Sequence, residues 1–128
     1  MKMEKQNLVL AIDFDGTIAE LSFPEVGELK KDADVYINKL FDEGHHIVIN
    51  TCRSGVHEGA AEAFLKEKGI RYHYINSNMP YLIEQYKQDC RKISADIYID
   101  DKCLMGLPNT WEEIYNIIQE KKTKILEL

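Results

Sequence analysis

A chain of 128 residues has room for one domain with a single core and little more. Its hydrophobic fraction of 45% and charged fraction of 30% are those of an ordinary globular protein, and no apolar run approaches the roughly 20 residues of a membrane span. A formal net charge of −6 argues against a general surface for nucleic acid polymers, yet admits a small anionic substrate where local cations offset the field.

The polar start Met1-Lys2-Met3-Glu4-Lys5-Gln6-Asn7 does not read as a signal peptide, so a cytoplasmic protein is expected. Cys52, Cys90 and Cys103 form no Cys-x-x-Cys pair and read as reduced thiols. His45, His46, His57 and His73 lack zinc-ligand spacing among themselves or with the cysteines.

In chain order, Leu8-Val9-Leu10-Ala11-Ile12 is a continuous apolar run of strand length, as in a strand buried on both faces of a parallel sheet. It ends in Asp13-Phe14-Asp15-Gly16-Thr17. Strand alternation would point Asp13 and Asp15 to one side, where two like charges require a cation or a shared proton. Residues 18–28, with Pro24 and Gly27, read as an irregular excursion.

Leu29, Ala33, Tyr36, Ile37, Leu40 and Phe41 recur at helical spacing, with Gly44 as the stop. A second strand follows at His46-Ile47-Val48-Ile49-Asn50-Thr51. Val56, Ala60, Ala63 and Phe64 then mark a helix stopping at Gly69. A third strand is expected over 70–75 and a short helix over 81–89, opened by Pro80. Ala95-Asp96-Ile97-Tyr98-Ile99 makes a fourth strand that runs into Asp100-Asp101. Thr110 and Glu113 match a capping box for a last helix with the stripe Trp111, Ile114, Ile117 and Ile118.

Strands alternating with helices imply an α/β fold: a three-layer, Rossmann-like parallel sheet flanked by helices, as one domain over residues 1–128. Such sheets bind ligands beyond the carboxyl ends of their strands, where Asp13, Asp15, Thr51, Asp100 and Asp101 all fall. Several carboxylates at one rim, without histidines, suit a hard cation, and Mg²⁺ fits best because it leaves room for a substrate phosphate. A carboxylate can also attack phosphorus to give an aspartyl-phosphate.

On these residues the chain resembles the haloacid dehalogenase superfamily, and within it the aspartate-dependent phosphatases. Asp13-Phe14-Asp15-Gly16-Thr17 stands as the first motif does, Thr51 as the second, a lysine before the fourth strand as the third, and Asp100-Asp101 as the fourth. The likeness runs from residue 8 to about 120, and Ala95 to Asp101 is also similar to the matching segment of 5′(3′)-deoxyribonucleotidases.

The resemblance implies a Mg²⁺-dependent phosphatase acting on a small phosphorylated substrate, with Asp13 as nucleophile and Asp15 as acid and base. The metal would be held by Asp13, the backbone carbonyl of Asp15, and Asp100, with Asp101 assisting from outside the direct ligands. Lys92 is favoured over Lys87 as the phosphate-binding lysine. Arg53, just past Thr51, could reach a phosphate oxygen or another substrate group.

Other readings stand beside these. Asp101 could be a turn residue, Arg53 a solvated or ion-paired one, and Cys52 a small buried hydrophobe. Tyr72-His73-Tyr74 reads as a strand with one buried face, Trp111 as packing against the sheet, and His45 and His46 as loop and strand-start residues. A deoxyribonucleotidase-like enzyme and a catalytically silent binding module are the alternatives to a general phosphatase. Neither residues 18–28 nor 76–91 leaves room for a large cap domain, so an open site is expected, or a homo-oligomer in which a neighbour covers it.

Overall fold

The computed structural model describes residues 7–127, so the polar start Met1 to Gln6 lies outside the described residues. Strand β1 (Val9–Ile12) is buried at every position and pairs in parallel with β2 (His46–Ile49) on one side and β4 (Ile97–Ile99) on the other. Strand β3 (Tyr74–Ile75) adds to β2, giving the parallel order β3-β2-β1-β4. The chain steps outward from β1 to β3 and returns to the opposite side of β1, so the order reverses beside β1. That reversal opens a crevice at the strands' carboxyl ends.

Helices α1 (Ala33–Asp42), α2 (Gly55–Glu67), α3 (Pro80–Tyr86) and α4 (Trp111–Leu126) cover the sheet unequally. Leu8, Leu10 and Ile12 pack with Ile37 and Leu40 of α1, Ala61 and Leu65 of α2, and Trp111, Ile114 and Ile118 of α4. Val9 and Ala11, pointing the other way, meet Met79, Leu82 and Ile93. The fold is therefore α/β with a parallel sheet between helical layers, one of them thin. Each Leu or Ile fully buried in this way contributes about 1.5–3 kcal/mol relative to exposure.

At the amino ends of the strands, side chains accept from backbone N–H groups. Leu8 N–H donates to His45 Nδ1 (3.1 Å), Val9 N–H to Asp96 Oδ2 (2.7 Å) and Ile47 N–H to His73 Nδ1 (3.0 Å). His45, expected as a plain loop residue, is wholly buried for this purpose. Beyond β3, the buried Asn78 gathers the chain leading to β4. Its side-chain amide donates to Asp89 Oδ1 and the Cys90 carbonyl, and its Oδ1 accepts from Ser94 N–H.

Several expectations change. Leu29 is not in α1; its backbone bridges Ala19 in antiparallel fashion, and Glu20 N–H donates to the Glu28 carbonyl, which closes the excursion into a small flap. On α2 the buried positions are Ala61 and Leu65, whereas Val56 is exposed. Alanine is too small to mark a face by itself, so the inferred stripe was rotated. Ile117 is partly exposed, Cys52 is exposed rather than buried, and residues 70–73 precede a strand of just Tyr74–Ile75. Thr110 does cap α4: its side chain accepts from Glu113 N–H (3.1 Å). Among the described residues no helix is long and apolar enough to cross a membrane.

Candidate active site

Ladder hydrogen bonds carry the end of β1 into the crevice. Asp13 N–H donates to the Ile99 carbonyl at the end of β4 (2.9 Å), and Asn50 N–H donates to Ile12 (2.9 Å). Asp13 is thereby held beside the residues that follow Ile99. Carboxylate oxygens of Asp13, Asp100 and Asp101 all lie within 4.8 Å of one another. Asp100 is oriented by its own turn, its Oδ1 accepting from Lys102 N–H (2.9 Å). Asp101, expected outside the direct ligand set, stands within the cluster.

Gly16 makes this approach possible. It sits at φ +85°, and a Cβ there would lie 2.2 Å from Asp101 Oδ2. The adjoining hydroxyl, Thr17 Oγ1, donates to Asp13 Oδ2 (3.0 Å) and accepts from Asp101 N–H (3.2 Å). The Thr17 carbonyl in turn accepts from Trp111 Nε1 (3.0 Å), so α4 anchors the residue that links the acids. In the sequence Thr17 reads as part of the motif without this role, and Trp111 as packing alone.

Burial, then the charge of Asp100, pushes the Asp13 carboxyl up to about 7; the hydrogen bond from Thr17 opposes this and Asp101 adds to it. Among the described residues, the groups acting on Asp13 are carboxyls and a hydroxyl, with no lysine or arginine. A cluster of this composition needs a proton or a cation from outside, and all-oxygen donors suit a hard divalent ion such as Mg²⁺.

Asp15 corrects the expectation that the two motif acids share a side. Strand geometry stops at Ile12, and the carboxylate of Asp15 turns to Arg53 in a two-bond fork: Nε to Oδ2 and Nη2 to Oδ1, both 2.7 Å. Arg53 is only 2% exposed. Its other N–H groups donate to the carbonyls of Glu25 (2.8 Å), Pro24 (3.2 Å) and His57 (3.3 Å). A guanidinium has five N–H donors, and here each has an acceptor. Arg53 is thus spent on Asp15 and the flap instead of facing a phosphate, which corrects its expected role. Its charge lies between the rings of Phe14 (5.5 Å) and Phe23 (5.0 Å).

Thr51 follows the end of β2, beside Asn50, whose N–H donates to the Ile12 carbonyl. Oγ1 accepts from Arg53 N–H (3.1 Å), which leaves the hydroxyl hydrogen to donate, and Thr51 N–H is held by Asn76 Oδ1 (2.8 Å). Asn76 also donates to the Arg53 carbonyl and to Glu58, so it braces the whole 51–53 turn. Its backbone is left-handed (φ 52°), a conformation asparagine tolerates, so the residue type was the one local signal for its place. Lys92 lies over the Tyr98 ring (5.2 Å) rather than on the acids, and Lys87 pairs with Glu84 (2.7 Å) on the surface.

Neither a protein-family model nor a curated protein sequence matches the chain. Among solved structures, a conserved protein coded by a locus of Bacteroides thetaiotaomicron is similar, with 32% identity and a TM-score of 0.81. The match covers 91% of this chain and 93% of that one. This chain belongs to the family of that protein.

Proposed function

We propose that the protein is a Mg²⁺-dependent phosphatase of the haloacid dehalogenase type, hydrolysing a small phosphomonoester through an aspartyl-phosphate. The observation that carries this reading is the meeting of Asp13 with Asp100 and Asp101 at the reversal point of the sheet. Asp13, Asp100 and Asp101 would hold the ion, joined by the Asp15 carbonyl on the resemblance. When bound, the ion supplies positive charge that offsets the acids and the phosphoryl oxygens.

In the first step an Asp13 carboxylate oxygen bonds to phosphorus while the bond from phosphorus to the ester oxygen breaks. Asp15, in its acid form with one arm of the Arg53 fork open, gives its proton to the departing alkoxide, which leaves as the alcohol. Asp15, now a carboxylate, takes a proton from water, and the hydroxide oxygen bonds to phosphorus. The bond from phosphorus to Asp13 breaks, inorganic phosphate leaves, and both acids are restored. Thr51 donates its hydroxyl hydrogen to a phosphoryl oxygen; on the resemblance, Lys92, which lies over the Tyr98 ring, is the phosphate-binding lysine. Thr17 keeps Asp13 aimed.

Release of p-nitrophenol from p-nitrophenyl phosphate, with and without Mg²⁺, tests this reading. The wild type should turn over only with the metal, and Asp13→Asn should lower the rate by at least about 10³-fold. Unchanged turnover in Asp13→Asn would overturn the assignment of the nucleophile.

A further inference from the structure

Arg53 is a cation buried beside the crevice that the reaction above leaves without a task. Its fork holds both oxygens of Asp15, while its remaining donors hold carbonyls of the flap, Pro24 and Glu25, and of α2, His57. Phe23, 56% exposed at the flap's surface, covers the guanidinium and also meets the His57 ring (5.1 Å). One side chain therefore touches both the acid of the reaction and the exposed flap.

We propose that Arg53 is a positioning residue that sets the direction of the Asp15 carboxylate and makes it depend on where the 20–28 flap sits. This rests on the phosphatase reading for the role of Asp15. The acid form of Asp15 carries a hydrogen on one of its two oxygens, and both now accept from Arg53. One arm of the fork must open before Asp15 can donate to a leaving group. The guanidinium cannot withdraw that arm without shifting against Pro24 and Glu25. Displacement of the flap and release of Asp15 are then a single event, set off by a substrate pressing on Phe23.

Two measurements test it, one of them free of any assumption about activity. Hydrogen exchange of the peptide spanning 18–30 reports the flap through the Glu20 and Lys30 amides, which donate to Glu28 and Ile18. Asp15→Asn, which keeps the shape but removes the charge, should speed this exchange about tenfold, and Arg53→Lys should do the same. Exchange unchanged in both variants would overturn the coupling, whether or not the protein hydrolyses phosphate esters.

The second measurement compares kcat/KM for p-nitrophenyl phosphate, whose leaving group needs little protonation, with an alkyl phosphate, whose leaving group needs much. Arg53→Lys should lower the alkyl value about tenfold more than the aryl value. Phe23→Ala, at an exposed position that does not threaten folding, should show the same skew to a lesser degree. Equal losses on both esters would mean that Arg53 binds phosphate or serves stability alone, and would overturn the proposal. Absence of turnover in the wild type would instead refute the phosphatase reading, and the exchange result would still decide the coupling.

Discussion

Replacing Asp13 by asparagine should have opposite effects on turnover and on stability. With its carboxyl raised from 3.8 to about 7, the folded protein holds a proton that the unfolded chain has already lost. The resulting stability is fully present below pH 3.8 and is lost as pH rises through about 7. Metal-free Asp13→Asn should thus be more stable than wild type at pH 8, by about 1–2 kcal/mol once solvent screening of a half-open carboxyl is discounted. Near pH 4 the two should coincide, and thermal melts across that range check it. At the neighbouring turn, Gly16→Ala forces a left-handed alanine and a methyl into the space of Asp101. It should cost about 1–3 kcal/mol and weaken metal binding, read by denaturant melts and by calorimetric titration with Mg²⁺.

Among the elements, the amino ends of β1 and β2 are the places where acid acts. Burial, and then the charge of Lys122, lowers the His45 pKa below 6.5, and its Nδ1 must stay unprotonated to accept from Leu8. The folded state binds fewer protons than the unfolded one, so the contribution is full above pH 6.5 and is lost as pH falls below it. His45→Asn keeps an acceptor that does not titrate, and its melting temperature should depend less on pH below 6.5 than that of wild type. The other anchor is α4: Trp111→Phe keeps most of the packing but orphans the Thr17 carbonyl, for a loss of about 1–2 kcal/mol in denaturant melts.

These elements also show what could be read from the sequence. The run ending at Ile12 announced a strand buried on both faces, and Thr110 with Glu113 announced the start of α4, because both signals are local. The α2 face is not legible because alanines carry little directional information, and the type of Cys52 says nothing of its exposed surroundings.

For the whole molecule, the fold follows from alternating strands and helices, and the crevice from the order β3-β2-β1-β4. The candidate site was legible as far as position along the chain could take it. Asp13 and Asp100 sit at the ends of adjacent strands, so strand pairing alone brings them together. The partners of Asp15 and Arg53 were not legible, since a bond spanning 38 positions and a flap folded back on itself depend on tertiary packing. Alternation along a strand predicts nothing once the strand has ended, which is why Asp13 and Asp15 part company.

The central claim is that Asp13 carries the phosphoryl group, and trapping that group is its most direct test. Protein mixed with Mg²⁺ and a phosphomonoester, quenched with hydroxylamine and read by mass spectrometry, should carry the hydroxamate on Asp13 and nowhere else. Turnover with no modification of Asp13, or modification at another carboxyl, would contradict it.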